Sequence, residues 1–262
     1  MTLAMRLLIS GVRDVSRRRW LIAYVVFYLV TTDLLFRFGG SGGRAVLSLA
    51  NVVLGLVPLV SVVFGTMYLY HAREFVQMML AQPVGRRSLF VGLYGGLALP
   101  LAGAFLAGVG LPLAWHGGFA DAAWPAAVLL GVGAALALIF TGLAFVIALA
   151  FQDRAAGLAV AILAWLGATA LYDGIVLLAI VALRDYPLER PLLAAMLANP
   201  VDLARVLLLR QFDLGALAGY TGAAFERFFG TASGTLWSMA AIAIWSAAPF
   251  AAGLRLFSRK DF

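Results

Sequence analysis

Between Arg44 and Arg73 the chain carries no Asp, Glu, Lys or Arg, and the same holds for 88–120, 122–152 and 228–254. These runs of 28, 33, 31 and 27 residues each exceed the ~20 apolar residues that carry an α-helix across a hydrocarbon core. Two further apolar stretches, 20–36 and 155–183, are interrupted by one acid each, Asp33 and Asp173, and remain long enough to cross. The pattern predicts six membrane spans.

Three segments do not fit a span. In residues 3–19, Arg6, Ser10, Arg13 and Arg17 fall within about 60° of one another on a helical wheel, with Leu8, Val12 and Val15 opposite. Such a helix lies in the membrane interface with its guanidinium groups toward anionic headgroups. In residues 71–88, good helix formers fill 72–82, and Pro83 with Gly85 ends the helix. Phe75, Met78, Met79 and Gln82 recur there at i, i+3, i+4 and i+7, a stripe suited either to insertion in a groove or to resting on the membrane surface.

The third segment, 184–233, is far longer than a connection between antiparallel spans needs. Asn199-Pro200-Val201-Asp202 reads as a helix start, with Asn at the cap and Pro at the first helical position. The expected helix, about 200–212, pairs Asp202 with Arg205 at i, i+3. Further along, Tyr220, Phe225, Phe228 and Phe229 suit either an external partner or the bilayer surface, with Arg205, Arg210 and Glu226 as rim charges.

Composition agrees with the pattern. Of 262 residues 64% are apolar and 12% charged, against about a quarter charged in a soluble domain. A soluble globular protein is excluded. The net charge of +7 follows sidedness: the side holding both termini carries twelve basic and four acidic residues, the other side seven Arg and six acids. The positive-inside rule therefore places both termini in the cytoplasm of a multi-pass inner (plasma) membrane protein. No signal-peptide cleavage pattern follows the first apolar run, which is expected to stay as a span.

Much chemistry is excluded. With no Cys there is no disulfide, thiolate metal site or thiol nucleophile. The two His, His71 and His116, fall on opposite sides of the expected topology, so no metal site is predicted. Neither a zincin nor a phosphate-loop motif occurs, and the Gly-x-Gly fragments lie inside apolar spans, where close helix packing explains them. Asp33 sits one turn before Arg37 and is expected to pair with it. Asp173 lies deeper, and either lines a helix interface or serves as the acid of a membrane-embedded hydrolase.

The short helix after span two, followed by Gln82-Pro83-Val84-Gly85-Arg86-Arg87-Ser88-Leu89 and Gly92, resembles the coupling-helix loop of the type-2 ABC exporter permeases. Leu171-Tyr172-Asp173 and Asn199-Pro200-x-Asp202-x-x-Arg205 are similar to the matching region of the permeases that serve nitrous oxide reductase maturation. The resemblance implies one all-α permease domain over 1–262: an interfacial helix at 1–19, six transmembrane helices, a coupling-helix loop at 71–88 and an external helical segment at 184–233 before the last span. It implies an ATPase subunit docking on Arg73, Glu74, Phe75, Met78, Met79, Gln82, Pro83 and Arg86, with two copies of this chain over two ATPases. ATP and Mg belong to that partner, and this chain needs no cofactor and hydrolyses nothing. A periplasmic copper-handling protein would bind at Asn199, Asp202, Arg205, Arg210 and Glu226, supporting assembly of the copper centres. An exporter of a lipid, peptide or drug is the alternative within the family.

Overall fold

The computed structural model describes residues 3–38, 42–116, 118–183, 189–210 and 232–260. All regular structure among them is helical: α1 (Leu3–Ser16), α2 (Arg19–Phe38), α3 (Gly42–His71), α4 (Arg73–Leu80), α5 (Arg86–Trp115), α6 (Gly118–Ala150) and α7 (Arg154–Leu166). A π-helical turn (Gly167–Leu171) leads into α8 (Tyr172–Ala182), followed by α9 (Glu189–Ala198), α10 (Pro200–Leu209) and α11 (Ala232–Arg259). Six helical segments are long and apolar enough to span: Arg19–Phe38, Arg44–His71, Arg86–Trp115, Ala123–Ala150, Arg154–Ala182 and Leu236–Arg259. The chain is an all-α polytopic membrane protein. The last span runs on through Arg255 to Arg259, because a charge marks where lipid ends and Arg is itself a good helix former.

The centre of the bundle is α6, with 72% of its apolar window buried, flanked by α5 and α3. Small residues set these distances, as they do where no hydrophobic force drives spans together. A Cβ added at Gly65 of α3 would meet the Ala144 Cβ of α6 at 2.6 Å, and one at Gly133 of α6 would enter the Phe105 ring of α5. At Gly108 of α5 the added atom would lie 2.9 Å from the Val25 carbonyl oxygen of α2. By contrast the fifth span, α7 through α8, has only 11% of its window buried and α11 only 17%. Leu171, Ile175, Leu178 and Val181 of the fifth span are exposed, so this face is left for lipid or another chain.

The basic N-terminal helix packs onto α5 through a glycine pair. A Cβ on Gly11 would stand 3.0 Å from the Gly96 Cα, and one on Gly95 would stand 3.0 Å from a Leu8 methyl. The apolar side of α1 is thus fixed to protein, with Val15 buried, while Ser10, Arg13, Asp14 and Arg17 are exposed.

The segment 189–209 departs most from expectation. Helices α9 and α10 meet at 108° and together are apolar enough for a broken span or a re-entrant loop. Nearly all of α10 is buried, including Val201, Leu203, Ala204, Val206, Leu207 and Leu208, packed against α3, α6, α11 and the π-helical turn. Rather than lying outside the bundle, α10 is inserted into it.

Candidate functional site

One end of the bundle collects α1, α4, the 150–154 connection and the end of α11. At this basic end α4 is only 8 residues long. Its Val76 is fully buried, and Met79 and Leu80 pack partly on the core. Phe75 and Met78 remain 39% and 58% exposed, with Glu74, Gln82 and Pro83 exposed beside them. The helix is keyed into the bundle by one side and offers the Phe75/Met78 side outward. Met79 belongs partly to the inward side.

Arg73 and Arg86, expected among the outward residues, are fasteners. The Arg73 guanidinium donates to the carbonyls of Gln152 (2.7 Å), Phe151 (2.8 Å) and Ala148 (3.2 Å) and lies 4.5 Å above the Tyr70 ring. These are the carbonyls that an α-helix leaves without partners at its C-terminus, where a cation also complements the helix dipole. The Tyr70 hydroxyl bridges the same turn, donating toward Phe151 O and Asp153 O at 3.1 Å each. Asp153 then caps α7, its carboxylate accepting from Ala156 N at 2.7 Å. Gly157 completes the fit, since a Cβ there would fall 1.8 Å from the Tyr70 hydroxyl oxygen.

The end of α11 is tied into the same place. Arg86 donates to the carbonyls of Lys260 (2.7 Å) and Ser258 (3.3 Å), and the Lys260 ammonium donates to Leu149 O. Burial, and then the nearby Arg73 charge, hold that ammonium below the ordinary lysine range. Phe90 packs against Phe145, Phe250 and Phe257 at centroid distances of 5.5–5.8 Å, joining α5, α6 and α11 just inside this ring of polar contacts. The three-residue turn Gln152-Asp153-Arg154, too short to dock anything, is therefore the anchor of α4. The sequence signal for it was a Tyr and an Arg three residues apart at the end of span two.

A second cluster lies in the bundle at the re-entrant pair. Asn199 caps α10 through Val201 N at 3.0 Å, as its sequence position predicts, and its Nδ2 donates to Ala168 O at 2.7 Å. Ala168 stands in the π-helical turn, midway between Arg154 and Ala182, so the α9–α10 bend reaches about 21 Å from either end of that span by helical rise. The end of α9 is satisfied from two sides, Tyr172 Oη donating to Ala195 O at 2.6 Å and Trp245 Nε1 to Leu197 O at 3.1 Å. Arg205 Nη1 joins Asp173 at 2.5 Å and Asp202 at 3.3 Å. The expected Asp202–Arg205 pair is present, and Asp173 is its third member. Asn199 and Asp202 are buried and turned into the bundle, away from any external surface. Arg210 ends α10, and Glu226 and the aromatic residues 220, 225, 228 and 229 lie outside the described residues.

At the opposite end Asp33 pairs with Arg37 at 2.8 Å, as the one-turn spacing predicts. It also accepts from His116 Nε2 at 2.7 Å, and the imidazole stacks on Phe36. This latch joins α2 to the end of α5.

No protein-family model matches the chain. Over 279 aligned residues it is 29% identical to the probable ABC transporter permease protein NosY of Pseudomonas aeruginosa, covering 99% of this chain and 98% of that protein. The similarity runs through both the fastened α4 and the inserted α10, and on a six-span all-α architecture it supports a NosY-like ABC transporter permease.

Proposed function

We propose that the chain is the membrane subunit of an ABC transporter, coupling ATP hydrolysis by a partner ATPase to work on the other side of the membrane. The single observation that carries this reading is the division of labour in α4. Its inward residues lock it to spans two and four, while Phe75 and Met78 face out at the basic end, an aromatic ring and a pliable thioether suited to a groove on another protein. The basic end faces the cytoplasm, where ATP is held with Mg by the partner. The ion-paired state of Asp173 supports a subunit without hydrolytic chemistry of its own.

A second copy of the chain covers the exposed fifth span, whose Asp173 and its α10 partner Arg205 are each about a third exposed. Charges at that depth are tolerated where they face protein or a water-filled cavity. ATP-driven closure moves α4, and the fasteners at 148–153 pass the movement to the spans. By likeness to NosY, the work performed is assembly of the copper centres of nitrous oxide reductase through a periplasmic copper-handling protein, meeting the chain at the segment that contains Glu226.

The test is a detergent pull-down of the partner ATPase co-expressed with this chain. Replacing Phe75 and Met78 together by Ala should weaken capture by about tenfold or more, since a buried aromatic anchor dominates such interfaces. The same variant should lose support of nitrous oxide reduction in cells. Capture at the unmodified level would overturn the docking assignment, and unimpaired nitrous oxide reduction in a strain lacking the chain would overturn the copper role alone.

A further inference from the structure

A cavity of about 350 Å³ opens at the basic end between α1 and α4, a volume in the range of small-ligand sites. Ser10, Gly11, Asp14 and Arg18 form one wall. The end of α3 contributes Tyr68 and His71, and α4 contributes Phe75. Leu89, Gly92 and Leu93, in the first two turns of α5, make the apolar floor. The cavity owes its existence to the glycine contact between Gly11 and Gly96, which brings α1 against α5 and leaves its polar side standing over the floor.

Its level in the membrane is fixed by the residues around it. Trp20 stacks on Phe64 at 4.3 Å, and Tyr68 lies one turn beyond, an aromatic pair of the kind that marks the headgroup boundary. A hollow at that level with an apolar floor and an ionic mouth is bathed in lipid, and the groups of highest local concentration are phospholipid headgroups. The mouth also shows which headgroup it fits. Asp14 and Arg18 form one ion pair at 2.9 Å with both side chains mostly exposed. Such an exposed pair contributes little to folding and is free to exchange partners. His71 Nδ1 donates to Met67 O at 2.7 Å, which fixes the ring on the cavity wall. One carboxylate beside one guanidinium complements a zwitterion whose cation donates hydrogen bonds and whose anion accepts a forked pair.

We propose that this cavity binds the headgroup of phosphatidylethanolamine, with Arg18 holding the phosphate and Asp14 the primary ammonium. Phosphatidylcholine offers the same phosphate but a cation without N–H groups, and phosphatidylglycerol offers no cation. Seated against Phe75 and α1, the headgroup braces α4 from the side opposite its fasteners. The site shares only Phe75 with the proposed docking stripe and stands whether or not an ATPase docks on α4.

The test uses the full-length chain in detergent micelles doped with each of the three lipids, read by native mass spectrometry and thermal unfolding. Phosphatidylethanolamine should be retained about tenfold more strongly than phosphatidylcholine, the worth of one charge-assisted hydrogen-bond set. Asp14→Asn should remove that preference, Arg18→Gln should weaken retention of all three, and Ser10→Phe should fill the cavity and do the same. Ser10 and Asp14 are exposed on α1 and Arg18 is exposed in the connection to α2, so helix content measured by circular dichroism should not change. Equal retention of the ethanolamine and choline lipids by the unmodified chain would overturn the proposal, as would an undiminished preference in Asp14→Asn. Release of the ATPase by these variants with lipid retention unaltered would assign the cavity to a protein partner and overturn it too.

Discussion

Replacing Arg205 by Leu should cost about 3 kcal/mol of stability, the scale measured when one member of a desolvated ion pair is removed and its partners stay behind. The single guanidinium serves both Asp173 and Asp202, so its loss leaves two carboxylates in a helix interface that sits more than a turn inside the span. With Asp173 38% and Asp202 12% exposed, water replaces it only in part at that depth, and the two acids then repel each other. The effect should be visible as a lowered unfolding temperature in detergent and as a poorly accumulating chain in cells. Adding Asp173→Asn and Asp202→Asn to the Leu variant should restore most of the loss, because neutral amides carry no uncompensated charge. A Lys at 205 should retain only part, since one ammonium does not fork across two acids on different helices. If the Leu variant were as stable as the unmodified chain, Arg205 would be a surface residue and α10 would not be inserted.

The six spans were legible because lipid imposes a rule that sequence cannot evade: every span here is built on a long apolar run with no more than one charge inside it. The re-entrant pair was not read as such, and the reason is length. From Pro191 to Leu209 only Asp202 and Arg205 are charged, and neither half is long enough to cross. Short apolar runs of about 10–14 residues are the mark of a buried or re-entrant helix, and the eleven residues from Pro191 to Val201, which carry no charge, showed that mark. The Asn199-Pro200 start signal fixed where α10 begins, but a cap carries no information on whether the helix is then covered by water, lipid or protein. That depended on Ala168, whose carbonyl takes the Asn199 amide from a span thirty-one residues earlier.

In α4, the spacing of Phe75, Met78, Met79 and Gln82 identified a stripe but not which side of it is inward. Burial of Val76 decides that, and it turns Met79 toward the core. Arg73 and Arg86 were expected among the ATPase-docking residues because a sequence shows a charge without showing the carbonyls that receive it. Both acceptors lie far along the chain, at 148–152 and 258–260, where helix ends leave carbonyls open. Asp33 was read through Arg37 alone for the same reason, as His116 comes from eighty-three residues away.

Arg73→Ala should separate docking from transmission. Phe75 and Met78 face away from the fasteners, so the ATPase should still be captured, with affinity changed less than twofold by the loss of one residue outside the contact stripe. What the variant loses is three hydrogen bonds to the end of α6 and the stacking on Tyr70, the rigid tie between α4 and spans two, four and five. Energetic coupling between linked sites is commonly worth 5- to 150-fold, and cutting its main tie should lower permease-dependent stimulation of ATP hydrolysis by about tenfold. Thermal stability should fall by only about 1–2 kcal/mol, because the hydrogen bonds are part-exposed and their carbonyls regain water. Gly157→Val reaches the same tie from the other side: its side chain would displace the Tyr70 hydroxyl from Phe151 O and Asp153 O without touching α4. Both variants should therefore bind the ATPase and fail to respond to it. A variant that loses capture together with stimulation would make Arg73 part of the docking surface, and one that keeps full stimulation would move the route of force to Arg86 and α11.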